Sequence, residues 1–340
     1  MAIDINREPQ QLSEVIQENL RKIEHGGFPG VPSGFVELDR ITSGWQKSEL
    51  IVIAGRPAMG KTAFVLSCVR NAVVDFAKPT VVFSLESSSV QLVNRLISAE
   101  AEIEQDKIRK GALEEWEWQL IHSKIPVLEQ APLIIDDTPA LDIAELEKKC
   151  RDLKEKHDIQ LIVVDYLQLL KSKGADGKGI ADRYNEIGYI TRGLKSIAKE
   201  LNVPVIALSQ LSRSVESRPG GSKRPMLSDL PESSSIEQDA DMILFLYRPE
   251  YYGLEVDEDN NSTQGVGEVI IAKNRNGETG RVRLKFVGKY VKFTDLEQDE
   301  NSFETSNPFG RLNPSKKIDK QSSFFIRPSR MDDLEDEPPF

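Results

Sequence analysis

The chain has 340 residues, 39% of them hydrophobic and 29% charged, and a net charge of −11. That length suits one domain of about 250 residues with polar extensions, or two small domains, and either buries a sizeable core. No apolar run approaches the ~20 residues of a membrane helix, MAIDINREPQQ has no hydrophobic signal segment, and Cys68 and Cys150, far apart in sequence, argue against a disulfide framework or metal site, so a reducing cytoplasm is the expected compartment. A nucleic-acid partner would favour a basic balance, but residues 295–300 and 331–338 are acidic, so part of the deficit lies outside the expected core.

Residues 11–25, QLSEVIQENLRKIEH, space Leu12, Val15, Ile16, Leu20 and Ile23 on one helical face, and GGFPG at 26–30 breaks the helix. An amphipathic helix there either packs on its own core or docks on a neighbouring subunit. A strand is expected at 50–54 (LIVIA), followed by GRPAMGKT at 55–62 and a helix over 61–75. The octapeptide matches G-x-x-x-x-G-K-[ST] between a strand and a helix, the context that motif needs. Backbone N–H groups through Gly55, Arg56, Pro57 (which has none), Ala58, Met59, Gly60 and on to Ala63 would line a phosphate cradle at the helix start. Lys61 would neutralise phosphate oxygens and Thr62 would ligate Mg2+ of bound Mg-ATP. The spacing does not fit the dinucleotide fingerprint G-x-G-x-x-G.

A second strand at 80–84 (TVVFS) leads to Glu86, placed either to orient and deprotonate an attacking water or to serve as a capping acid. A helix at 89–99, a strand at 132–135 and a helix at 142–156 follow. The strand at 160–164 ends on Asp165, where a second Mg2+-associated carboxylate belongs. After a helix at 184–201 and a strand at 203–208, Gln210 is placed to report the nucleotide's γ-phosphate, or is an ordinary loop amide. The strand at 242–246 (MILFL) closes this series. Its strands are apolar without alternation, as when helices cover both faces, so the fold class is α/β with a mostly parallel central sheet. A polar stretch then precedes strands at 267–273 and 281–286, compatible with an antiparallel hairpin across Asn276 and Gly277, and a short strand at 290–293. Lys273 and Arg275 at that junction would complete a phosphate site, most naturally on the next subunit, or form a solvated basic turn. From about 295 the polar sequence reads as a disordered or loosely attached tail.

In order, GVPSGFVELDRITSGW, GRPAMGKTAF, VVFSLESSSVQLVNRLIS, LIVVDYLQLL, ALSQLSR, RPMLSDLPESSSIEQDAD and KNRNGETG resemble the C-terminal motor domain of the DnaB family, the hexameric replicative DNA helicases of bacteria. The resemblance covers roughly residues 11–290, and SIEQDAD with KNRNG makes it specific. It implies a RecA-like P-loop NTPase core at 30–294, a linker helix and connection at 1–29 that docks on an adjacent subunit, and a polar tail at 295–340. It implies Lys61, Thr62 and Asp165 on Mg-ATP, Glu86 as catalytic glutamate, Gln210 as phosphate sensor, and Lys273 and Arg275 as trans-acting lysine and arginine finger. The implied assembly is a six-membered ring that moves 5′ to 3′ along single-stranded DNA, with primase and a helicase loader as partners.

Three departures qualify that picture. The family's N-terminal helical domain is not among these residues, as expected of either a fragment or a natural short version, which bears on ring stability and primase response. The loop DLPESSS at 229–235 has Pro231 where the family usually has arginine and Ser234 where it usually has glycine. Pro231 removes a cation and a backbone donor, so weaker DNA affinity is expected, with Lys223, Arg224, Glu232, Ser233 and Ser234 left as DNA contacts. Ser87 also replaces a usual methionine. The chain ends MDDLEDEPPF, similar to the terminal peptide of single-stranded-DNA-binding proteins: either a partner-docking tip anchored by Phe340 or a solubilising tail. The competing function is a RecA-like DNA-stimulated ATPase without unwinding, acting in recombination, in regulation or as a loader-binding scaffold. Trp45 is expected in the core, Trp116 and Trp118 cannot share one helical face, His122 and His157 lack clustered metal ligands, and Tyr251 and Tyr252 suit a loop anchor.

Overall fold

A computed structural model describes residues 30–172, 183–216, 218, 223–230, 233–257 and 260–296, together with Leu12 and Ile16. The helix expected over 11–25 is therefore outside the described residues except at Leu12 and Ile16, which are helical and exposed. Pro231, Glu232, the Ser233 side chain and the chain from 297 onward also lie outside them.

Nine strands form one sheet: β1 (Leu50–Gly55), β2 (Thr80–Ser84), β3 (Leu133–Asp136), β4 (Leu161–Asp165), β5 (Val205–Gln210), β6 (Met242–Tyr247), β7 (Val266–Asn274), β8 (Gly280–Val287) and β9 (Lys292–Asp295). Their order is β3-β2-β4-β5-β1-β6-β7-β8-β9. The pairings from β3 through β6 are parallel and those from β6 through β9 antiparallel. Eight α-helices are described: α1 (Val36–Thr42), α2 (Lys61–Arg70), α3 (Ser89–Ala101), α4 (Gln105–Lys110), α5 (Glu115–Glu129), α6 (Ile143–His157), α7 (Arg183–Leu201) and α8 (Ser233–Asp239).

At the centre of the sheet both faces are buried. Ile51 and Ile53 of β1 pack with Phe64 and Val69 of α2, while Leu50, Val52 and Ala54 join Leu146 of α6 and Leu194 of α7 on the other face. Every β1 residue is buried, which is why no polar alternation marks the strand. The same holds for β2, β4 and β6. Trp45 is fully buried, and both cysteines are buried and free. Among the described residues no helix is long and apolar enough to cross a membrane.

Several elements differ from the sequence-based expectation. The helix over 61–75 is α2 continued by a π turn at Asn71–Asp75. The Asn71 side chain donates to Ser33 O (3.1 Å) and packs over Gly34, where a Cβ would meet it at 2.4 Å; with φ of +81° as well, Gly34 has no ready substitute. Helices α1, α4, α5 and α8 go beyond the helical patterns read from the sequence. In α5 the pattern is inverted: Trp116 and Trp118 are both exposed, while Glu117 is buried and accepts from Lys107 Nζ (2.7 Å) and the Glu114 N–H (2.9 Å). The last strand is Lys292–Asp295 rather than 290–293, because Val291 takes a left-handed φ of 51° and ends a turn first. It then lies against α2, with the Phe293 N–H donating to Ser67 Oγ (3.1 Å).

Candidate active site

The strands β1, β2, β4 and β5 all end on one edge of the sheet, and the cleft there has a volume of about 390 Å³. Gly55 closes β1, the chain turns through left-handed Ala58 (φ 64°) and Gly60 (φ 90°), and α2 begins at Lys61. Pro57, Ala58, Gly60, Lys61, Thr62 and Ala63 line the cleft. Gly55, Arg56 and Met59 do not line it: Met59 is buried, and the Arg56 guanidinium is turned away to Leu211 O (2.9 Å) and Glu216 Oε1 (2.8 Å). Arg56 and Gly55 instead offer their carbonyls to Lys61 Nζ, at 3.2 and 2.9 Å. Burial lowers the Lys61 pKa, and the nearby Asp165 and Glu86 carboxylates oppose that shift. An anionic ligand would relieve the burial cost.

Thr62 Oγ1 donates to Asp165 Oδ2 at 2.9 Å. Burial pushes the Asp165 carboxyl up, Thr62 pulls it back, and Glu86 adds to the rise. Two oxygen ligands side by side, one of them a carboxylate whose charge is poorly solvated, suit a hard divalent cation. Glu86 stands in a turn fixed at both ends: Ser84 Oγ donates to Ser87 O (2.6 Å) and the Leu85 N–H donates to Asp165 O (2.7 Å). Gln210 ends β5 in register with Gly55 and lines the same cleft. Arg95, Gln105, Tyr166, Phe286 and Val291 complete the walls. Sequence reasoning missed these five. Arg95 lies in the second turn of an ordinary amphipathic helix, and Phe286 and Val291 reach the cleft only because β8 and β9 fold back over α2.

Lys273 and Arg275 are not in this cleft. Met242, at the start of β6, pairs with Asn274, so both cations lie at the opposite sheet edge from Gly55. Along β1 this sets Lys273 level with Val52 and Arg275 one residue beyond Ile51, three and five residues back from Gly55, about 10 and 17 Å at ~3.3 Å per residue. Lys273 Nζ donates to Ala240 O (2.7 Å) and to Glu237 O, and Arg275 donates to Gln238 O. Burial, then the Arg275 charge, lowers the Lys273 pKa.

Of the expected DNA contacts, Lys223 donates to Glu216 O, and Arg224 pairs with the buried Glu268 carboxylate and stacks over the Tyr247 ring at 5.6 Å. Ser234 shares a hydrogen bond with the Tyr184 hydroxyl. The segment between them is tied down at Asp229, which accepts from the Met226 N–H (2.7 Å) and from Arg218.

Residues 30–295 match the DnaB-like helicase C terminal domain family. Replicative DNA helicase DnaB of Geobacillus stearothermophilus is 46% identical over 273 residues, covering 80% of this chain and 58% of the relative. Replicative DNA helicase DnaC of Bacillus subtilis is 44% identical, covering 85% of this chain and 63% of the relative. The chain thus spans less than two thirds of the length of either. Among solved structures, an ATPase domain superposes with a TM-score of 0.77 at 39% identity, covering 85% of this chain and all of that one. A structure of a DnaB-like replicative helicase and its interactions with primase gives a TM-score of 0.74 at 38% identity, with 85% and 68% covered. The RecA-like α/β fold expected from the sequence is the fold observed.

Proposed function

Because the chain belongs to the DnaB-like helicase C-terminal domain family, we propose that it is the ATP-hydrolysing motor of a replicative DNA helicase, a 5′ to 3′ translocase on single-stranded DNA. The observation that carries this reading is the division of the phosphate-handling residues between two edges of one sheet. Lys61, Thr62, Glu86, Asp165 and Gln210 share a cleft, while Lys273 and Arg275 stand about 10 and 17 Å back from it along β1. A second copy supplies the missing cations most simply, which argues for a ring.

In that reading Lys61 exchanges the Gly55 and Arg56 carbonyls for phosphate oxygens of ATP. Thr62 and Asp165 hold Mg2+, which neutralises phosphate charge when bound. Glu86 orients the attacking water and takes its proton, and Gln210 senses the γ-phosphate from the adjacent strand end. Lys273 and Arg275 of the adjacent copy stabilise charge on the transferred phosphoryl group. The cleft's Phe286 and Val291 offer an apolar wall to the nucleotide. DNA runs past the segment from Lys223 to Ser234, held through its backbone without base readout. Primase, named with one of the solved relatives, and a loader are the proposed partners.

The relatives' names support unwinding over a DNA-stimulated ATPase that does not unwind. A forked duplex tests it. With a 5′ single-stranded tail, the protein and Mg-ATP should release the paired strand, and with only a 3′ tail they should not. ATP hydrolysis stimulated by DNA without strand release on either fork would contradict helicase action.

A further inference from the structure

We propose that helix α8 is a strut that joins the DNA-holding segment of one copy to the cations that copy lends to its neighbour's nucleotide. The inference rests on the function proposed above. α8 begins at Ser233, within the last residues of that segment, and Ser234 near its start is bonded to Tyr184. Its far end is held by the two cations themselves. Lys273 Nζ donates to the Glu237 and Ala240 carbonyls, and Arg275 donates to the Gln238 carbonyl. The Arg275 N–H also donates to Asp241 O at 2.9 Å.

Basic side chains at a helix C-terminus satisfy its last carbonyls and its dipole. Here the same donors would be wanted by phosphate oxygens. Engaging the neighbour's nucleotide is then an exchange of partners, carbonyl for phosphate, and the position of α8 sets where that exchange starts. Seven residues at 1.5 Å rise span about 10 Å, so a shift at the DNA end arrives at the cation end in one rigid piece. The seat is close: α8 crosses α7 at Gly188, where an added Cβ would stand 3.1 Å from Ser235 Oγ, so α8 keeps its place against α7 as one packed piece. Ile236 is the buried pivot on the sheet side.

The test compares two double variants of the full chain, Ser235→Gly with Glu237→Gly and Ser235→Ala with Glu237→Ala. Each removes the same side chains and keeps every backbone carbonyl, but glycine loosens the helix where alanine stiffens it. ATP turnover is measured with and without an oligothymidine strand, alongside affinity for that strand. The alanine pair should keep the parent's DNA stimulation within about twofold, whereas the glycine pair should keep basal turnover and affinity but lose stimulation by about tenfold. Equal stimulation of the two pairs would overturn the strut and leave the proposed function standing. So would a glycine pair in which basal and stimulated turnover fall together, as a merely structural α8 requires. Should the glycine pair fail to fold, Glu237→Gly against Glu237→Ala decides on the same criterion. A parent protein that DNA does not stimulate would overturn the proposed function, and the strut with it.

Discussion

Glu86 and Lys61 face one cleft from different elements, and substitution should separate their roles. Glu86→Gln keeps size and hydrogen bonding but removes the base. ATP binding should persist while kcat falls by about 100- to 10,000-fold. Lys61→Met should instead abolish nucleotide binding itself, and a binding titration beside steady-state turnover checks both. A different residue sets part of the acid dependence of stability. Asp39 accepts the Ser33 and Gly34 N–H groups at 2.9 and 3.0 Å, and burial pushes its carboxyl from 3.8 up to about 6. A raised pKa in the folded state means that the native protein holds a proton the unfolded chain has lost. This group's contribution is therefore fully present below about pH 4 and declines as pH rises towards about 6. The stability of the parent minus that of Asp39→Asn should fall across that window in denaturant titrations; a flat difference would contradict the assignment.

At the scale of elements, α6 and α7 meet at Gly193, where a Cβ would stand 2.6 Å from Ile143 Cγ1. Gly193→Ala should cost about 1–3 kcal/mol, and the same substitution should cost less in an Ile143→Ala background, which removes the clashing Cγ1. The segment proposed to hold DNA makes a second prediction. Pro231→Arg should raise single-strand affinity and steepen its salt dependence by about one counterion, read from binding titrations across salt. The parallel strands were legible because burial on both faces leaves apolar runs, and the positions of Gly55–Thr62 between β1 and α2 and of Asp165 at the end of β4 were legible because each follows such a run directly. α5 was not. Its buried positions include Glu117, its two tryptophans point outward and Pro126 lies inside it, so no apolar period announces a helix. Arg95, Phe286 and Val291 were hidden for another reason: sheet order, rather than local sequence, brings them to the cleft.

At the scale of the whole molecule, the proposed function makes each chain carry two halves of a site that a second copy completes, because Lys273 and Arg275 do not line the cleft of their own chain. The acidic net charge of −11 is compatible with a DNA motor if only a few segments of each copy face the strand. The chain spans 58% and 63% of the length of two relatives. Mixing two inactive variants tests the composite site most directly. Lys61→Ala retains the lending cations but not the phosphate cradle; Arg275→Ala retains the cradle but not the lending arginine. Each alone should be nearly inactive. Assembled together in equal amounts, about one interface in four pairs an intact cradle with an intact arginine, so DNA-stimulated ATP hydrolysis should reappear. A mixture no more active than the sum of the two variants would contradict the shared site.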